Sequence, residues 1–139
     1  MTVRTWLYGR LMDPSLTNLR ALVDDRVFAK KSMKSSVEEH PYIVYKMGNK
    51  TDDATSETIR PYRQYFQIYV HDYKDGEGGD YTQIDLVLKE IEQALVNQQS
   101  PEHEIIQVIY LETSQDLDDE TLNTVFRYAR FQAIVGKAE

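Results

Sequence analysis

A chain of 139 residues with 41% apolar and 28% charged residues suffices for one domain, and its composition lies outside the disordered range. Its net charge of −7 argues against a protein that grips nucleic acid, because phosphate contacts need a basic footprint; Lys30, Lys31 and Lys34 are the only basic cluster. The absence of cysteine excludes a disulfide framework, thiolate metal ligands and a cysteine nucleophile.

The amino-terminal stretch, Met1-Thr2-Val3-Arg4, leads into no long apolar run, and no segment approaches the ~20 apolar residues that span a bilayer. A soluble protein without an export signal or membrane contact is expected, consistent with synthesis in a cytoplasm. Trp6, Leu7, Tyr8 and Leu11 stand at roughly helical spacing, and the helix should end near Asp13-Pro14, since the residue before proline disfavours helical angles. Ser15 is placed to cap a second short helix with Leu16, Leu19, Leu22 and Val23 inward. Arg26 to Lys30 reads as a short strand, and Met33 to Glu39 as a polar loop.

Pro41 to Gly48 reads as a strand, with proline at its first position where a missing N–H does least harm. The polar stretch Asn49 to Arg60 then predicts a long hairpin loop, of a length that is often functional or ordered by a partner. From Tyr62 to Tyr73 the chain alternates: Phe66, Ile68 and Val70 share one face, while Tyr65, Gln67, Tyr69 and His71 share the other. That period of two marks a sheet buried on one side. A turn with Gly76, Gly78 and Gly79 follows, and Asp80 with Gln83 offers a capping-box-like start to a helix. In that helix Ile84, Val87, Leu88, Ile91, Ala94 and Leu95 form one apolar stripe.

Asn97 to Glu104 reads as a polar connector, and Ile105 to Leu111 as the most apolar strand in the chain. The acidic stretch Ser114 to Glu120 reads as a hairpin tip, and a final strand from about Val125 should pair with the Ile105 strand. The order α, α, β, β, β, α, β, β predicts a single α+β domain over residues 1–139. Its sheet should be mainly antiparallel with helices packed on one face, as a two-layer sandwich.

Candidates for chemistry are few. His71 beside Asp72 and Asp75 is the nearest thing to a metal site, but His71 and Asp72 alternate to opposite faces, and a surface histidine at a strand end is the simpler reading. His40 and His103 read as solvated residues. Asp75, Glu77 and Asp80 lack the ligand spacing and terminal glutamate of a calcium loop. Gly76-Glu77-Gly78-Gly79 matches no phosphate cradle, and its acidic neighbours would repel one. The expectation is a protein with no catalytic residues, no metal and no cofactor. Ten tyrosines suit half-buried strand surface or a subunit interface, where the ring packs and the hydroxyl stays hydrated.

The order of elements resembles the small tail-terminator proteins of tailed bacteriophages. The resemblance is carried by Arg26-Val27-Phe28, by His40-Pro41-Tyr42-Ile43-Val44-Tyr45, and by Tyr65 to Asp72 with its glycine turn and the helix from Tyr81 to Leu95. It closes with Asp116-Leu117-Asp118-Asp119-Glu120 and Arg127-Tyr128-Ala129-Arg130-Phe131. It implies a structural virion protein at the head–tail junction, closing as a ring, typically of six copies, on the finished tail tube. Its implied partners are itself, the tail tube protein and a head-completion or connector protein. DNA would pass through the lumen without specific binding. Two alternatives remain: another neck or head-completion protein between portal and tail, or a small acidic host-directed binding protein. The candidate assembly interface comprises Asn49, Asp52, Asp53, Glu57 and Arg60 of the long loop, with Asp116, Asp118, Asp119 and Glu120 of the acidic tip.

Overall fold

The computed structural model describes residues 3–29, 41–52, 61–73, 81–120 and 124–136. Two helices open the chain, α1 (Val3–Leu11) and α2 (Thr17–Val23), followed by β1 (Val27–Ala29), β2 (Tyr42–Asp52) and β3 (Pro61–Tyr73). Then come α3 (Thr82–Leu95), a 3-10 turn (Pro101–His103), β4 (Ile105–Thr113), β5 (Leu117–Asp119) and β6 (Thr124–Gly136). The strands form one sheet in the order β1-β2-β3-β6-β4, with β5 also paired to β6. All pairings are antiparallel except β1 with β2. The fold is the expected α+β arrangement.

The last strand lies between β3 and β4, so the β3–α3–β4 crossover spans a strand that is made later. β3 and β6 pair from Pro61↔Gly136 to Tyr73↔Thr124 without a register shift. Their shared inner face carries Phe66, Ile68, Val70, Val125, Ala129, Phe131, Ala133 and Val135, all buried. The Phe66 and Phe131 rings stack at 5.3 Å, and Tyr110 meets Phe131 edge-on at 5.8 Å. The predicted stripe of α3 covers this face: Ile84, Val87, Leu88, Ile91, Ala94 and Leu95 are all buried. Val3, Trp6, Leu7 and Leu11 of α1, with Leu19 and Val23 of α2, complete the same core.

Several local expectations change. The α3 cap position falls on Tyr81, with no side-chain cap bond, and Asp80 lies outside the described residues. Ser15 does not cap α2 either; Leu16 holds that position, and the Ser15 N–H instead donates to Asp13 Oδ1 at 2.9 Å. Arginines do the work at the other helix ends, where carbonyls lack partners. Arg10 Nε donates to the Ala94 carbonyl at 2.9 Å, fastening α1 to the end of α3, and Arg20 donates to the Leu11 carbonyl. β2 runs past Gly48 to Asp52, with a shift between Met47 and Lys50, so Asn49 and Asp52 belong to a strand rather than to the long loop. The acidic stretch is also partly strand: Leu117–Asp119 pairs with Thr124–Phe126. The polar loop predicted for Met33 to Glu39 lies outside the described residues.

Phe66→Ala should cost about 3–5 kcal/mol, from lost burial and the cavity left against Phe131. Urea unfolding followed by circular dichroism measures it; a loss below ~1 kcal/mol would contradict a close-packed ring pair.

Candidate assembly surfaces

The outer face of the sheet carries none of the described helices, and the register sorts it into rows. At one end, Tyr42 of β2, His71 of β3, Phe126 of β6 and Leu117 of β5 lie side by side. The Tyr42 and His71 rings stack at 4.9 Å and 3°, and His71 stacks on Phe126 at 4.9 Å and 23°. Phe28 meets Tyr42 edge-on at 6.1 Å, so four rings cross four strands. This corrects the reading of His71 as a surface histidine: it is 5% exposed, with Nδ1 2.8 Å from Thr124 Oγ1. Its placement against two flat rings is a packing role. His103 is half-buried, its Nδ1 2.9 Å from Ser100 Oγ, while His40 lies outside the described residues.

Burial pushes the Tyr42 hydroxyl up to about 12; the nearby Asp119 carboxylate adds to the rise and the Thr124 hydroxyl opposes it. Tyr69 is raised too, by burial first and then by Tyr128, whose ring lies 5.2 Å away.

The other half of the face is polar. Lys46, Gln67, Arg130 and Glu112 form one row across β2, β3, β6 and β4. Arg130 Nη1 meets Glu112 Oε2 at 3.0 Å. The next row holds Tyr65, Gln132 and Ile109, with Gln132 donating to the Tyr65 hydroxyl at 3.0 Å. Arg63, Ile134 and Gln107 form the row beyond. A groove of about 680 Å³ opens here, lined by Lys46, Gly48, Asn49, Tyr65, Gln67 and Arg130 among others, none of them acidic. Single-sequence reading places Tyr65 and Gln67 on one face, but the charged row needs the pairing of four strands and leaves no local signal.

The described residues of the predicted interface do not converge. Asn49 is exposed at the groove, and Asp52 is the last residue of β2, opposite Tyr62. Asp53, Glu57 and Arg60 lie outside the described residues, as do Asp75, Glu77 and the glycine turn. The acidic group sits at the far end of β6: Asp119 pairs with Thr124, whereas Tyr62 pairs with Val135. Eleven residues of strand, about 37 Å, separate the two sites. Arg127 anchors the acidic end. Its guanidinium meets Asp85 of α3 at 2.5 Å and Asp116 at 3.3 Å, and donates to the Ser114 carbonyl at 3.2 Å. Tyr81 Oη donates to the Leu117 carbonyl at 3.0 Å, tying the start of α3 to the same segment. Asp118 and Glu120 stay exposed.

Among the described residues no cluster of three or more histidine or carboxylate side chains is placed to hold a metal, and no helix is long and apolar enough to cross a membrane.

In fold, the chain is similar to one from the virion of a native gene transfer agent particle. The TM-score is 0.73 over 98% of this chain and 96% of that one, at 17% sequence identity. A second solved chain matches with a TM-score of 0.59, over 99% and 96%, at 18% identity. At such identities the likeness is one of fold. No family model and no curated protein matches the sequence.

Between pH 10 and 12 the folded protein should lose stability as pH rises. Tyr42 keeps its proton in the fold up to about 12, whereas in the unfolded chain it releases it near its ordinary value of 10. Tyr42→Phe should remove part of that dependence. Urea midpoints across this range check it, and an unchanged slope would contradict a buried, protonated Tyr42.

Proposed function

We propose that this chain is a structural protein of a tailed, phage-like virion, acting as the terminator that closes as a ring on the finished tail tube. The ring stops further polymerisation of the tube and presents the surface on which the head docks. Its partners are then copies of itself, the tail tube protein and a head-completion or connector protein, with no catalytic step. The observation that carries the reading is the near end-to-end likeness in fold to a chain of the gene transfer agent virion. The order of elements adds support, since it resembles that of tail terminators. So does the polar half of the outer sheet face, which carries none of the described helices and leaves Lys46 and Arg63 exposed to neighbours. An overall charge of −7 suits a channel that must let DNA slide, because like charges disfavour lasting phosphate contacts.

Antibody labelling of intact particles should mark the head–tail junction, and a virion without signal there overturns the reading. Replacing Asp116, Asp118 and Asp119 together by alanine should reduce head–tail joining about tenfold, as loss of charge at an assembly contact weakens it. The melting temperature should move by only a few degrees, since exposed ion pairs contribute at most about 1 kcal/mol each. Normal joining by this variant would remove the acidic segment from the assembly surfaces.

A further inference from the structure

We propose that the polar half of the outer sheet face, centred on Lys46, Gln67 and Arg130, receives the acidic segment Asp116–Glu120 of a second copy of this chain. The inference rests on the ring reading above and names the contact that would build it.

The receiving surface is concave and of one charge. Lys46 and Arg130 line the groove, with no acidic side chain among its lining residues. Arg63, exposed, stands on the same face two rows away. Glu112 is the one carboxylate among the described residues of this half, and it is paired to Arg130 at 3.0 Å. In a chain of net charge −7, a patch with three cations and one anion is a local reversal of sign. Tyrosine and arginine are enriched at protein–protein contacts, whose rims are polar and hydrated.

The guest is equally defined. Asp116, Asp118, Asp119 and Glu120 lie within five residues, and Asp118 and Glu120 are exposed. β5, Arg127 and the Tyr81 hydroxyl hold this segment in place, so it is presented on a rigid base.

The same geometry decides that the two surfaces meet between copies. Asp119 lies opposite Thr124, and the groove row crosses β6 at Arg130, six residues further along. That is about 20 Å of strand, too far for a segment fixed by the β5–β6 pairing to fold back on its own groove. Two different, complementary patches on one molecule make a heterologous contact, and such contacts close into rings when the rotation between neighbours permits. Guest carboxylates would add to the Glu112 contact of Arg130, because a guanidinium has five N–H donors. Attraction across such a contact weakens as the Debye length falls from about 8 Å at physiological salt to about 3 Å at 1 M.

The test mixes isotopically light and heavy copies of the full chain and treats them with a zero-length carbodiimide, which joins lysine amines to carboxylates. Mass spectrometry should find light–heavy peptides joining Lys46 to Asp118 or Glu120. In parallel, Lys46→Glu with Arg63→Glu should raise the concentration for half assembly at least tenfold by light scattering. Asp118→Lys with Glu120→Lys should do the same, and mixing the two variants should restore assembly. All four positions are exposed, and circular dichroism confirms that each variant folds.

An oligomer that persists in both variants, or whose mixed peptides bypass Lys46, overturns this contact and leaves the ring reading standing. A protein that stays monomeric at hundreds of micromolar, without mixed peptides, overturns the contact as well. Labelling at the head–tail junction then judges the capping role separately.

Discussion

Thirteen consecutive antiparallel pairs join β3 to β6, and this ladder dictates which side chains face the helices and which face outward. A slip of one residue would carry Phe66, Ile68, Val70 and Phe131 to the outer face and bring Arg130 and Gln67 under α3. Burying those polar groups unpaired would cost several kcal/mol, so the register is held by the difference between the two faces. The remaining elements attach to this pair. β2 extends it on one side, β4 and β5 on the other, and α3 lies across it with α1 and α2 packed alongside.

The outer face shows how one sheet surface can serve two physical tasks. Its aromatic half is a stack of rings in which even a histidine is used as a flat, buried plate. Its polar half keeps Lys46, Arg63 and Asn49 exposed to water. The edge strand β4 leaves Ile106 and Leu111 exposed, and two register shifts interrupt its pairing with β6. Such irregularities on an edge discourage open-ended strand addition. The proposed assembly through the sheet face, with one neighbour's acidic segment seated in it, is compatible with an edge built in this way.

Much of this architecture is legible residue by residue. The alternation from Tyr62 to Tyr73 separates the two faces of β3 correctly, because a strand's side chains alternate whatever its partners. The stripe from Ile84 to Leu95 identifies the buried side of α3 for the same local reason. Capping is less legible. Ser15 and Asp80 are reasonable caps by residue type, yet the caps fall on Leu16 and Tyr81. Arg10 and Arg20 instead satisfy the far ends of helices, and contacts 84 and nine residues apart cannot be read from a local pattern. The acidic residues at 116–120 are plain in the sequence, but the groove lined by Lys46 and Arg130 exists only where β2, β3 and β6 lie side by side.

By itself, then, the sequence determined the class of the fold, the strand and the helix at its centre, the inward faces of β3 and α3, and a resemblance in the order of its elements. The tertiary structure alone decided that the final strand enters between β3 and β4, that His71 is buried, and that Asp52 and the acidic stretch stand at opposite ends of the sheet. The reason is that propensity and periodicity act over a few residues, whereas ladder hydrogen bonds are chemically alike for any partner strand. Which strand becomes the neighbour is settled by burial over the whole sheet, and so is every surface made of several strands.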